Sequence, residues 1–292
     1  MKLTEIHMRD PFILPFDGKY YLFGTSGKYS WEGCGGFFCH ISDDLINWSE
    51  PILCFEPPKK FWANENFWAP EVYYYKGKFY MFASFKAEGH MRAVQILVSD
   101  RPEGPYSIWS CPLTPNDWMC LDGTLYVENE VPYMVFCHEW MQIKDGEMCV
   151  TQLSDNLKNQ IGQPSILFKA SQTEWSSTKL HGGYITDGPF MYKHSNGMLL
   201  MIWSSFDENG YVEAVAYSKV GNINGKWQHC KTPLSSVNGG HGMIFRTFEG
   251  KLFFTMHCPN LPSGVERPTL YEIKEIDEEP YLRIICNENG VI

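Results

Sequence analysis

One short pattern returns five times along the 292 residues and limits what this chain can fold into. Each copy is a turn followed by an aromatic-rich run: Asp17-Gly18-Lys19-Tyr20-Tyr21-Leu22-Phe23, Lys76-Gly77-Lys78-Phe79-Tyr80-Met81-Phe82, Asn129-Glu130-Val131-Pro132-Tyr133-Met134-Val135-Phe136, Asn196-Gly197-Met198-Leu199-Leu200-Met201-Ile202-Trp203 and Glu249-Gly250-Lys251-Leu252-Phe253-Phe254. Four copies place glycine in the turn, where a positive φ costs little, and the third carries Glu130 instead. The copies recur at intervals of roughly 53–67 residues. A short apolar stretch precedes each (residues 12–16, 72–75, 124–127, 190–192 and 243–247). A second alternating run follows, ending on Ser42-Asp43, Ser99-Asp100, Ser154-Asp155 and Ser218-Lys219 in the first four units; the fifth, over 269–282, keeps the strand pattern without that turn. Three or four short strands in each of five units, with no long segment of helical period, predict an all-β fold: a five-bladed β-propeller of four-stranded antiparallel blades around a central channel, as one domain over 1–292. A β-sandwich would not repeat one motif at blade spacing.

Composition narrows the partners. With 44% hydrophobic and 20% charged residues the chain can bury a large core. Its formal charge of −10, with no basic stripe, argues against a nucleic-acid partner and against an anionic membrane surface. No apolar run approaches the roughly 18–20 residues that cross a bilayer. Glu5, His7 and Arg9 interrupt the N-terminus, which does not read as a signal peptide, so the expected location is the cytoplasm. The 10 cysteines are scattered without a CxxC pair and read as mostly buried free thiols in a reducing compartment. Ten Trp and 16 Tyr suit aromatic packing in blades and flat platforms for a neutral sugar.

In a propeller the first strand of every blade lines the channel, so the five strand entries converge on one face. Those entries read Arg9-Asp10-Pro11, Ala69-Pro70-Glu71, Leu121-Asp122-Gly123, Thr186-Asp187-Gly188-Pro189 and Gly240-His241-Gly242. A single Asp at a strand entry is ordinarily a turn or a cap. Four carboxylates and a histidine at corresponding entries are the material of a paired acid and base: carboxylates crowded into one pocket repel, so one holds its proton while another stays ionised. Glycoside hydrolysis uses that division of labour.

The run Arg9-Asp10-Pro11-Phe12-Ile13 with Gly18-Lys19-Tyr20-Tyr21, the segment Trp68-Ala69-Pro70-Glu71-Val72, Ser42-Asp43-Asp44-Leu45 leading to Trp48, and Asp187-Gly188-Pro189-Phe190 together resemble glycoside hydrolase family 43 along essentially the whole chain. The resemblance implies a five-bladed propeller acting on arabinofuranosides, xylosides and related plant-polysaccharide linkages, with inversion at the anomeric carbon. It implies Asp10 as the general base that activates water, Asp122 as the aspartate that orients the acid and tunes its pKa, and Asp187 as the general acid. One departure stands out: the family's acid position usually reads Glu-Gly-Pro, and here it is Asp187-Gly188-Pro189, a side chain shorter by about 1.5 Å. Glu71 and Glu139 are the alternative acids. His241 resembles the hub histidine that sits beside a central metal or water cluster in the arabinanase branch, so a Ca²⁺ ion at the hub, with His241 as its ligand, is an expectation, although no cofactor is required.

For the sugar, Trp31, Phe67, Trp68, Trp140 and Phe206 are the stacking candidates, and Glu71, His90, Arg92, His241 and Arg267 the polar ones. The expected activity is exo-acting hydrolysis of α-L-arabinofuranosidic or β-D-xylosidic linkages in oligosaccharides. The alternatives are a non-catalytic carbohydrate-binding propeller, its acid lost in the change to Asp187, and a glycosidase for another sugar such as a galactofuranoside.

Overall fold

The structure, a computed structural model, describes residues 1–26 and 35–285. Twenty strands form five four-stranded antiparallel sheets, each built from one continuous stretch of chain. Blade 1 holds β1 (Met8–Phe16), β2 (Lys19–Ser26), β3 (Phe37–Ser42) and β4 (Ile52–Phe55). Blade 2 holds β5 (Glu65–Tyr75), β6 (Lys78–Ala87), β7 (His90–Ser99) and β8 (Ser107–Ile108). In blade 3, β9 (Cys120–Glu128) and β10 (Val131–His138) are followed by a single helical turn, α1 (Trp140–Ile143), before β11 (Glu147–Leu153) and β12 (Gln160–Lys169). Blade 4 comprises β13 (Asp187–Lys193), β14 (Leu199–Phe206), β15 (Tyr211–Ser218) and β16 (Trp227–His229), and blade 5 comprises β17 (Gly240–Arg246), β18 (Leu252–Cys258), β19 (Arg267–Glu275) and β20 (Leu282–Ile284). The first strands pack against one another in sequence, and β1 packs on β17, closing the ring.

The repeated turns are the hairpins between first and second strands. In blades 1 to 3 both central residues are left-handed: Asp17 and Gly18, Lys76 and Gly77, Asn129 and Glu130. That is the pattern of a turn whose twist matches the flanking strands, and Glu130 adopts it at φ 68° without glycine. The aromatic runs fill the gaps between blades: Phe12 meets Tyr73 edge-on at 5.2 Å, Phe168 lies 5.2 Å from Trp203, and Tyr20 meets Phe245 at 6.2 Å across the closure. Since no strand is exchanged between the chain ends, polar contacts join them: Arg9 pairs with Glu266 at 2.7 Å, and Arg267 Nε donates to the Thr4 carbonyl at 2.8 Å.

Every first strand begins with a bulge. Register breaks between Arg9 and Phe12, Trp68 and Glu71, Asp187 and Phe190, and Gly240 and Met243, while β9 breaks opposite Val135 and Cys137. The bulged residue is left-handed in each blade: Asp10, Ala69, Asp122, Gly188 and His241, with φ between 46° and 57°. Four of these are not glycine and carry backbone strain. The preceding blade holds most of them in place. Thr25 Oγ1 accepts the Ala69 N–H at 2.7 Å, Ser84 Oγ that of Asp122 at 2.9 Å, Ser204 Oγ that of His241 at 2.6 Å, and His257 Nδ1 that of Asp10 at 3.2 Å. The Gly188 N–H goes instead to Asp122 Oδ2 at 2.9 Å. A belt of second-strand side chains therefore fixes the entries where the charged side chains start.

Candidate active site

At the hub the entries open into a cavity of about 540 Å³ lined by Asp10, Asp122, Asp187 and His241, with Trp68, Trp140 and Phe206 on its walls. Asp10 Oδ2 accepts a hydrogen bond from Thr25 Oγ1 at 2.6 Å, and its Oδ1 lies 3.1 Å from His241 Nδ1 and 3.5 Å from His257 Nδ1. Burial opposes its ionisation, but the attraction of His241, His257 and Arg9 and the Thr25 hydroxyl outweigh that and hold its pKa below the ordinary carboxylate value. Asp122 is buried, and its Oδ2 lies 3.8 Å from the same His241 nitrogen while accepting the Gly188 N–H. Burial, with the negative charge of Asp10 beside it, pushes the Asp122 carboxyl up to about 8. Asp187 Oδ2 accepts from Tyr211 Oη at 3.2 Å, and burial and the charge of Asp122 raise it to about 7. One cavity thus holds a carboxylate kept ionised and two carboxyls that retain protons toward neutrality.

Three expected positions change. By the bulge register, the residues equivalent to Asp10 and Asp122 are Ala69 in blade 2 and Gly188 in blade 4, so Asp187 stands one residue earlier than the other two aspartates and Glu71 two residues later. In the strand pairing Asp187 shares the register of Arg9 and Trp68 before the bulge, whereas Glu71 shares that of Phe12 and Phe190 beyond it. Glu71 does not line the cavity: it is buried beside blade 3, bonded by Tyr73 Oη, which also meets Thr124 Oγ1 at 2.6 Å. Arg267 is the second correction, spent on the Thr4 and Glu266 carbonyls and on His7 in the ring closure, away from the cavity. The third is Phe67, which belongs to the aromatic core with Phe55 and Phe85. His90 lies outside the central cavity, and Trp31 lies outside the described residues.

The walls follow from neighbouring loops. The Arg92 guanidinium sits 4.2 Å over the Trp68 ring, pairs with buried Glu139 and donates to Asn66 Oδ1 at 3.0 Å. Glu139 is therefore engaged as the partner of a buried cation. Trp140, on α1, packs with Phe206 and Tyr211, and His181 meets Phe206 edge-on at 4.2 Å. Sequence reasoning did not find Tyr211, Asn66, His181 or Asn260. Tyr211 reads as one more apolar position of an alternating strand, and the others lie in connections with no pattern of their own.

Ca²⁺ takes six to eight oxygen ligands. Among the described residues no group of three or more His, Cys, Asp and Glu is arranged to hold a metal. At the hub, Asp10, Asp122 and His241 are the residues that would face such an ion, Asp10 and Asp122 each accepting one hydrogen bond on Oδ2, and no step below passes through a metal.

The model for Glycosyl hydrolases family 43 matches residues 3–278. Among solved structures, an endo-arabinase from Bacteroides thetaiotaomicron is 36% identical, superposes with a TM-score of 0.88, and is matched over 95% of this chain and 98% of its own. An endo-1,4-beta-xylanase from the same organism is 25% identical with a TM-score of 0.78, covering 97% and 95%. A thermostable family-43 glycoside hydrolase shares the fold at 24% identity and a TM-score of 0.84, over 96% and 93%. Among curated proteins there is no match. No helix among the described residues is long and apolar enough to cross a membrane.

Proposed function

Because the chain belongs to glycosyl hydrolases family 43 and is a glycoside hydrolase, we propose that it cleaves α-L-arabinofuranosidic linkages of arabinan-type chains with inversion, using Asp10 as base and Asp187 as acid. The observation that carries the chemistry is the opposite fate of two carboxyls on one cavity, Asp10 held ionised by His241 and Thr25 and Asp187 held protonated by burial beside Asp122. The choice of sugar rests on the similarity to the Bacteroides endo-arabinase.

Water on the Asp10 side loses a proton to that carboxylate as its oxygen bonds to the anomeric carbon. The glycosidic C–O bond breaks on the opposite side, and its electron pair takes the proton of Asp187. Asp122, bonded to the Gly188 N–H directly after Asp187, holds the acid's backbone, and burial keeps the acid's proton in place. The shorter Asp187 side chain does not need to span the cavity alone, since Tyr211 orients it from blade 4 itself. Among the described residues the cysteines are unbridged and most are buried, which supports action inside the cell.

The test is the leaving group. Asp187→Ala loses activity on arabinan by about a hundredfold or more while an activated aryl arabinofuranoside, which departs without protonation, is spared, and Asp10→Asn abolishes both. Equal loss on both substrates in Asp187→Ala overturns the assignment. The exo mode expected from the sequence is checked in the same assay, as monosaccharide released from the first time points.

A further inference from the structure

A second cavity, about 870 Å³, lies over blade 2 and touches none of the three aspartates. Its walls come from the approach to β5 (Phe61, Trp62), the β6–β7 hairpin (Lys86, His90, Met91) and the connection that leaves β8. All three return to the end of blade 2 where β5 begins, the end that carries Trp68 into the central cavity. Lys86 lines both cavities and is held by an ion pair with Glu65 at 2.8 Å.

The wall is preformed. Trp62 Nε1 donates to Oε1 of Gln95, which is buried and whose Nε2 donates to the Ser110 carbonyl at 2.7 Å, so the indole is held from behind by a satisfied polar pair. Phe61 supports the same ring at 6.2 Å and His90 meets it edge-on at 6.0 Å, while Met91 is 39% exposed on the hairpin. Among the described residues no carboxylate lines this cavity; of its two cations Lys86 is already paired and Lys60 is exposed to solvent. A concave, largely apolar wall with a fixed aromatic and few charges suits a neutral ligand with alternating apolar and hydroxyl faces, and its size is that of a ligand-binding pocket.

We infer that the cleft over blade 2 is a second sugar-binding region that holds the part of a neutral polysaccharide chain lying several residues from the linkage being cut, with Trp62 as its platform. This rests on the glycosidase reading for the chemistry but not for the binding. Trp62→Ala is expected to lower kcat/KM on debranched arabinan about tenfold, mainly through KM, and to leave kcat/KM on an aryl α-L-arabinofuranoside within twofold. Trp62→Phe, which keeps a ring, recovers most of the loss. Met91→Glu sets a charge on an exposed position of the same wall without touching the core and weakens arabinan use in the same selective way.

Equal effects on polymer and aryl substrate, or none on the polymer, overturn the inference. If wild type cuts neither substrate, the functional reading fails by itself. The cleft is then judged by native gels cast with debranched arabinan or with xylan, where retardation of wild type but not of Trp62→Ala upholds it and equal mobility refutes it.

Discussion

Gly188 is where the hub tolerates least. It sits at φ 50°, and a Cβ built there would lie 2.7 Å from Cγ, 2.8 Å from Cδ2 and 3.0 Å from Cα of His241. Carbon atoms rest at about 3.5–4.0 Å, so Gly188→Ala must drive the imidazole and the bulge apart by about 1 Å. The imidazole cannot yield without disturbing its 3.1 Å approach to Asp10, and the bulge cannot yield without moving Asp187 and the Asp122 bond. A left-handed alanine adds ~1–2 kcal/mol of backbone strain. For a chain of this length that corresponds to a Tm lower by roughly 2–3 °C. The displacement matters more for rate, since misplacing reacting groups by about 1 Å costs on the order of 100-fold. The control is Gly197→Ala, at φ 93° in an open turn where a Cβ meets nothing within 4 Å. Both variants should lose Tm, measured by calorimetry, Gly188→Ala the more because of its clash, and only Gly188→Ala should lose kcat/KM on arabinan when assayed well below either transition. Gly188→Ala with kcat/KM within twofold of wild type, or Gly197→Ala with an equal loss, refutes the reasoning.

Two further outcomes follow from the carboxyls. The proposed roles require Asp10 ionised and Asp187 protonated, so kcat/KM should be bell-shaped, with its acid limb below the ordinary aspartate pKa and its alkaline limb near 7. The Tyr211 hydroxyl donates to Asp187 and favours its charged form, so Tyr211→Phe should move the alkaline limb to higher pH; a limb that stays or moves down contradicts the contact. Glu213, fully buried under the blade 5 entry, is pushed by burial up to about 8. Its folded-state pKa exceeds its unfolded one, so the stability it contributes is whole below about 4.5 and is lost as pH rises through 8. Glu213→Gln, whose amide oxygen can still accept from Ser204 and the Gly242 N–H, should lose less Tm than wild type between pH 5 and pH 8.5, by a few degrees; parallel curves would show that Glu213 is not the titrating group.

The blade count was legible because a hairpin turn and an aromatic second strand are local, and they recur. Asp10, Asp122 and His241 were legible for a related reason: each sits at a bulge marked by a neighbouring Pro or Gly. The same reasoning failed at Glu71 because a bulge is counted in backbone conformation, not in distance from a proline. Ala69 takes the left-handed place, and Glu71 then falls beyond the bulge, at the register of Phe12 and Phe190, where it meets Tyr73. Arg267 misled because a basic residue after a loop says nothing about which end of the chain it will meet, and here ring closure claims it. Tyr211, Asn260 and Thr25 carried no signal, since their roles arise only when one blade is laid beside the next.

That juxtaposition explains how a short general acid is served. Tyr211 reaches Asp187 with its hydroxyl while its ring stacks on His257 at 5.7 Å, and His257 Nδ1 in turn accepts the N–H of Asp10. The ring has room because Gly240 has no side chain: a Cβ there would meet Tyr211 Cε1 at 2.7 Å. Burial drives the Tyr211 phenol well above its ordinary pKa, so it stays a donor, and burial keeps His257 near 3, with Nδ1 an acceptor. One aromatic side chain therefore ties Asp187 in blade 4 to the group that holds the backbone of Asp10 in blade 1.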